Sequence, residues 1–98
     1  MPPQYKSMET RAIIDVSGIV QGIYYRYGTK RKADELGLTG TVRNRPDGSV
    51  GIVCEGTEKD VKTLIGWCKV GPRGARVDKV DVTWEEPTGV FSGFSIIY

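Results

Sequence analysis

No histidine occurs anywhere in this sequence. Its absence excludes Ser-His and Cys-His nucleophilic machinery and phosphohistidine chemistry, and removes the commonest transition-metal ligand. Cysteine is nearly as scarce. Cys54 and Cys68 are the only two, too few for a disulfide framework and, without histidine, too few for a structural zinc site. Both fall on positions that read as core-facing, so two buried reduced thiols are expected, with an internal disulfide as the alternative. No metal and no cofactor are expected. No apolar run approaches the roughly 20 residues that span a bilayer. The opening MPPQYKSMET lacks the apolar centre of a secretory leader. The expectation is therefore a cytoplasmic protein without membrane contact. An excess of one charge is missing too: the net charge is +2, with basic residues spread along the chain, which gives no footprint for nucleic acid.

Several phosphate-chemistry motifs are also missing. A cysteine phosphatase needs Arg six positions after its Cys, but Asp60 follows Cys54 and Gly74 follows Cys68 at that distance. There is no Gly-Lys-Ser/Thr of a Walker loop, and no Asp-x-Asp of a phosphoaspartyl enzyme.

What is present is an ordinary globular composition, 39% apolar and 27% charged over 98 residues, which suits one domain. Residues 1–10 read as a flexible tail and 11–98 as the domain. Ala12, Ile14 and Val16 alternate with Arg11, Asp15 and Ser17, the pattern of a strand with one buried face. A helix is expected over 26–36, with Thr29, Ala33 and Leu36 at helical spacing and Gly37 as its stop. Gly28 weakens its first turn. Residues 40–45 and 49–55 flank Pro46-Asp47-Gly48, a hairpin signal, and Val50, Ile52 and Cys54 share the inner face of the second arm. Thr57 stands as a helix N-cap with Asp60 behind it. Val61, Leu64, Ile65 and Cys68 then form a core-facing stripe, ended by Gly71-Pro72. A strand over about 77–85 carries Val77, Val80, Val82 and Trp84. Phe94, Ile96 and Tyr98 alternate as a short last strand. Trp67, Trp84 and Tyr98 read as core or edge packing rather than a ligand platform. The order β-α-β-β-α-β implies an α+β sandwich of the ferredoxin-like type: an antiparallel sheet, two helices on one face and a short extra C-terminal strand. That topology hosts many activities, so it does not by itself assign one.

The chemically informative stretch is Gly18-Ile19-Val20-Gln21-Gly22-Ile23-Tyr24-Tyr25-Arg26, which joins a strand to a helix N-terminus. Such a turn aims backbone N–H groups one way and adds them to the positive end of the helix dipole. Gly22 lets the backbone approach a ligand. Arg26 adds a permanent planar charge suited to two phosphate oxygens. The result is an anion cradle. A strand, a glycine loop and one arginine are common in structural roles as well, and Asn44 alone reads as a solvated residue near a hairpin.

Taken together, the run Val16-Ser17-Gly18-Ile19-Val20-Gln21-Gly22-Ile23-Tyr24-Tyr25-Arg26 resembles the acylphosphatase signature V-x-G-x-V-Q-G-V-x-F-R. The resemblance continues through Ala33, Leu36-Gly37-Leu38, Gly40-Thr41-Val42-Arg43-Asn44, Asp47-Gly48-Ser49-Val50, Gly56, Gly71-Pro72, Ala75, Val77 and the final Phe94-Ser95-Ile96-Ile97-Tyr98, covering residues 12–98. Ile23 and Tyr25 replace the usual Val and Phe, and the Tyr25 hydroxyl needs a partner. Gly28 and Arg31 stand where relatives often carry bulkier or less charged residues, and Gly51 where an acidic residue is common.

The resemblance implies a hydrolase that cleaves an acyl phosphate to a carboxylate and inorganic phosphate, without metal or covalent intermediate; a monomer is expected, because nothing in the sequence suggests an extended interface. It implies phosphate binding by Arg26 and by the backbone amides of Val20, Gln21, Gly22, Ile23 and Tyr24, and positioning of the attacking water by Asn44. A carboxylate leaves readily because its conjugate acid has a pKa of about 4 to 5, so the reaction needs no histidine. Two rivals use the same scaffold. RNA-recognition domains share the topology but stack bases on strand aromatics, whereas the tyrosines here gather at 24, 25 and 27. A regulatory or carbamoyl-phosphate-handling module derived from an acylphosphatase is the other.

Overall fold

The alternation of Ala12, Ile14 and Val16, all fully buried, becomes strand β1 (Glu9–Ile19) in a computed structural model, which describes residues 8–98. β1 begins at Glu9, within the stretch read as a tail, because Glu9 and Thr10 pair with Thr57 and Gly56. The rest of the expected tail, residues 1–7, lies outside the described residues. Next come α1 (Tyr25–Leu36), β2 (Thr39–Asn44), β3 (Val50–Thr57), α2 (Glu58–Val70), β4 (Arg76–Glu85) and β5 (Phe94–Ile96).

The strands lie in the order β4-β1-β3-β2-β5. β1 runs antiparallel to β3 and β4, and β2 antiparallel to β3, which is the ferredoxin-like arrangement expected from the element order. The sheet is mixed rather than wholly antiparallel, because the short C-terminal strand β5 pairs parallel with β2. The cause is its long approach: residues 86–93 carry the chain from one edge of the sheet to the other, and no tight turn forces an antiparallel return.

Local chemistry sets the helix ends. Gly37 takes a left-handed conformation (φ 72°) and closes α1 with its N–H on Asp34, as a C-terminal glycine does. Thr57 Oγ1 accepts the Asp60 amide at 3.2 Å and starts α2, with Glu58 and Asp60 in its positive first turn. The stripe Val61, Leu64, Ile65 and Cys68 is buried against Ile14, Val16, Ile52 and Cys54 in one core. Burying a side chain of this size contributes about 1.5–3 kcal/mol. The two cysteines are free, and burial pushes each thiol up to about 12. Among the described residues no helix is long and apolar enough to cross a membrane.

Candidate active site

The loop between β1 and α1 is held at both ends. β1 shifts register between Ser17 and Gly18, and at Gly18 (φ 133°) a Cβ would stand 2.1 Å from the Arg76 carbonyl, so only glycine admits β4 so close. Past that irregularity Val20 sinks into the core, and Tyr25 sinks again at the start of α1, each 1% exposed. Between these anchors Gly22 (φ 78°) and Tyr24 (φ 64°) are both left-handed. Nothing crowds Gly22, so the backbone angle rather than space requires glycine there. Tyr24 lacks that freedom and holds an uncommon conformation at the N-cap of α1, where strain gathers at functional loops.

The result is a run of unsatisfied donors. Among the described residues no acceptor is paired with the amides of Gln21, Gly22, Ile23 or Tyr24. α1 has no side-chain cap and no acidic residue in its first turn. An uncapped helix N-terminus with no acidic residue in its first turn carries a partial positive charge open to an anion.

A cavity of about 380 Å³ opens against this loop, lined in part by Val20, Gly22, Arg26, Asn44, Ile96 and Tyr98. The three tyrosines at 24, 25 and 27 complete its wall. Arg26 is its one charged lining residue and forms no ion pair among the described residues. Its guanidinium carbon lies 5.0 Å from the centre of the Tyr98 ring, a cation–π distance. Asn44, the last residue of β2, turns an amide oxygen inward that is buried and unpartnered. Such an acceptor calls for a donor.

Arg26 and Asn44, joined in the sequence only by resemblance, thus share one cavity. Val20, Gly22 and Tyr24 line it as well, whereas the side chains of Gln21 and Ile23 do not. Ile23 packs against the core. Gln21 reaches the other way, donating through Nε2 to the carbonyls of Arg45 at 2.8 Å and Ser49 at 2.9 Å. Tyr98 departs from the expectation of core or edge packing: it is 95% exposed and stands beside Arg26. The alternation of Phe94, Ile96 and Tyr98 was visible in the sequence. The parallel register that sends the third of them to the cavity was not. Among the described residues no cluster of three or more Cys, Asp or Glu could hold a metal ion.

A sequence model of the acylphosphatase family matches residues 12–96. The chain belongs to the acylphosphatase family. An acylphosphatase of Pelotomaculum thermopropionicum is 49% identical over 88 residues, which is 90% of this chain and 96% of that protein. Among solved structures, the acylphosphatase from Bacillus subtilis superposes with a TM-score of 0.88 at 35% identity, covering 91% of this chain and 99% of its own. The acylphosphatase from Coxiella burnetii does so with a TM-score of 0.82 at 37% identity, covering 99% and 100%.

Three departures from the acylphosphatase pattern have structural counterparts. The Tyr25 hydroxyl donates to the Cys68 carbonyl at 2.7 Å, closing an orphan carbonyl in the last turn of α2. Burial, together with the neighbouring Cys68 side chain, raises its pKa. At Gly28 a Cβ would meet the Trp67 ring at 2.7 Å, so the glycine lets the two helices close over that indole. At Gly51 a Cβ would stand 2.4 Å from Arg45 Nε. The missing acidic side chain leaves room for the Arg45 guanidinium to cross to Asp15, with Nη2 2.9 Å from Oδ1. That contact is an ion pair of poor angular quality, since Asp15 Oδ1 and Arg45 Nε keep no hydrogen-bond partner.

Proposed function

We propose that this cavity hydrolyses the carboxyl–phosphate bond of acyl phosphates. The observation that carries the reading is the pairing, on one cavity, of an arginine and a buried asparagine amide oxygen, beside a loop of amides, none of which has a partner among the described residues. Family membership supports the same activity.

In this mechanism Arg26 and the amides of Val20, Gln21, Gly22, Ile23 and Tyr24 hold the phosphoryl oxygens. Asn44 accepts a hydrogen bond from the attacking water and holds it in line with the leaving carboxylate. A bond forms from water oxygen to phosphorus as the phosphorus–carboxylate bond breaks. The water proton passes to a phosphate oxygen, and carboxylate and inorganic phosphate depart. No protein base is required, and charge spread over the phosphoryl oxygens is met by fixed donors. The reaction needs neither metal nor cofactor. The enzyme acts as a monomer in the cytoplasm, on a small acyl phosphate and without nucleic acid. Two buried cysteines without a disulfide fit that setting.

The test is hydrolysis of benzoyl phosphate with EDTA present, comparing wild type with Arg26→Ala. The expected outcome is rapid wild-type turnover and a loss of roughly 10²–10³-fold in kcat in the variant, the scale for removing a preorganised donor. A folded wild type that binds phosphate without turnover would make the chain an anion-binding module instead.

A further inference from the structure

Among the described residues Glu55 is the one buried acidic residue, on the face of the sheet opposite the helices and 5% exposed. Its carboxylate collects four donors. Oε2 accepts Arg11 Nη1 at 2.8 Å, the Thr88 hydroxyl at 2.7 Å and the Thr88 amide at 3.0 Å; Oε1 accepts the Gly89 amide at 2.9 Å. Two of the residues so bound, Thr88 and Gly89, belong to the strap 86–93 that links β4 to β5 across the sheet. No side chain of that strap is buried, so apolar packing does little to fix its path. Glu55 fixes it, with the Arg11 guanidinium 5.7 Å from the Phe91 ring as a second hold.

The strap delivers β5 to the edge of the sheet. The Gly93 carbonyl accepts the Gly40 amide at 2.9 Å, Phe94 enters the core, and the parallel ladder pairs Val42 with Ile96. Because β2 and β5 run the same way, both lead to the same end of the sheet. β2 finishes there on Asn44, and β5 leads there to Tyr98. Ile96 and Tyr98 line the cavity, and the Tyr98 ring meets Arg26.

We infer that Glu55 is a positioning residue of the active site: by tying the strap it sets the register that stands Tyr98 against the Arg26 guanidinium and so restricts that side chain to its phosphate-facing pose. The inference rests on the hydrolase reading for its kinetic consequence. Its structural core, the chain of contact from Glu55 to Arg26, stands apart from that reading.

The experiment is a double-mutant cycle of Glu55→Gln and Tyr98→Ala, read in two ways on protein shown to be folded by circular dichroism. The first is kcat/KM on benzoyl phosphate. Each single variant is expected to lose about two- to fivefold, the scale of an exposed cation–π contact, and the double variant to lose no more than Tyr98→Ala alone. The second is the NMR shift of the Arg26 Nε–H without substrate, which carries the Tyr98 ring current. Both variants are expected to move it alike. Wild-type kcat/KM in folded Glu55→Gln, two losses that multiply, or an unmoved Arg26 signal would each overturn the inference and leave Phe94 and the ladder as sufficient holds. If Glu55→Gln does not fold, Thr88→Val removes one donor and should shift the Arg26 signal the same way by less; no shift overturns the inference. A wild type without turnover would defeat the hydrolase reading, and the Arg26 signal would still decide this one.

Discussion

Gln21 Nε2 stands 2.8 Å from the carbonyl of Arg45, the residue that follows Asn44, and it also holds the Ser49 carbonyl. One side chain from the β1–α1 loop therefore fastens both arms of the β2–β3 turn. The tie joins the loop that carries the amides of residues 20–24 to the end of β2, where Asn44 stands.

Removing the tie should hurt turnover more than folding. Gln21→Ala leaves each carbonyl with its turn partner, Gly48 or Arg45, so the expected stability loss is only about 1 kcal/mol. Displacing Asn44 from line is expected to lower kcat by roughly 10–100-fold. Gln21→Glu keeps the shape but loses the donor and should be no better. Steady-state kinetics beside urea unfolding separates the two effects; a stability loss with unchanged kcat would make the tie purely structural.

Asn44 and Arg26 should fail differently. Asn44→Ala is expected to leave inhibition by inorganic phosphate within about twofold while kcat falls by roughly 10²-fold or more. Arg26→Ala should weaken phosphate inhibition as well. The comparison needs only inhibition constants and kcat for both variants. Equal loss of phosphate affinity in the two would remove the water-positioning role from Asn44.

Sequence pattern carried most of the scaffold, for a physical reason. Ala12, Ile14 and Val16, or Val61, Leu64, Ile65 and Cys68, are periodic because each lies within one element facing one core. The Thr57 cap and the Gly37 stop are local chemistry and were equally legible. The site was legible mainly through resemblance, since nothing in the spacing from Arg26 to Asn44 says that β2 returns to the mouth of the loop. The links that pattern could not supply are long-range and polar. Glu55 meets Thr88 across 33 positions, Gln21 meets Arg45 across 24, and Tyr98 reaches Arg26 only through a parallel pairing. A charged or amide side chain leaves no periodic trace of its partner.

Gly28 shows the same limit in the core of the helix pair. Helix propensity alone favours Gly28→Ala by about 1 kcal/mol. The new methyl would meet the Trp67 ring at 2.7 Å, and that ring packs on Tyr25 with centroids 5.3 Å apart. Overpacking costs about 1–3 kcal/mol, so the steric effect outweighs propensity and a net loss of about 1 kcal/mol is expected. In a Trp67→Leu background the clash is relieved and Gly28→Ala should become stabilising. Urea midpoints of the four proteins test that reversal of sign.

Acid should undo the strap before the rest of the fold. Burial works to raise the Glu55 carboxyl, but hydrogen bonds from Thr88, Gly89 and Arg11 outweigh it and hold the group down at about 2, against an ordinary 4.5. A folded-state value below the unfolded one means the folded protein binds the proton less readily. The contribution of Glu55 to stability is therefore complete above about pH 5. It fades as the pH falls through 4.5 toward 2. Glu55→Gln makes no such proton exchange, so the gap in Tm between wild type and this variant should be widest near pH 6 and narrow steadily below pH 4.5. Other carboxylates, such as Asp47, held down chiefly by its hydrogen bonds from Ser49, titrate in both proteins and cancel in the difference. Thermal melts at four or five pH values suffice, and a gap independent of pH would mean that the strap does not depend on the Glu55 charge.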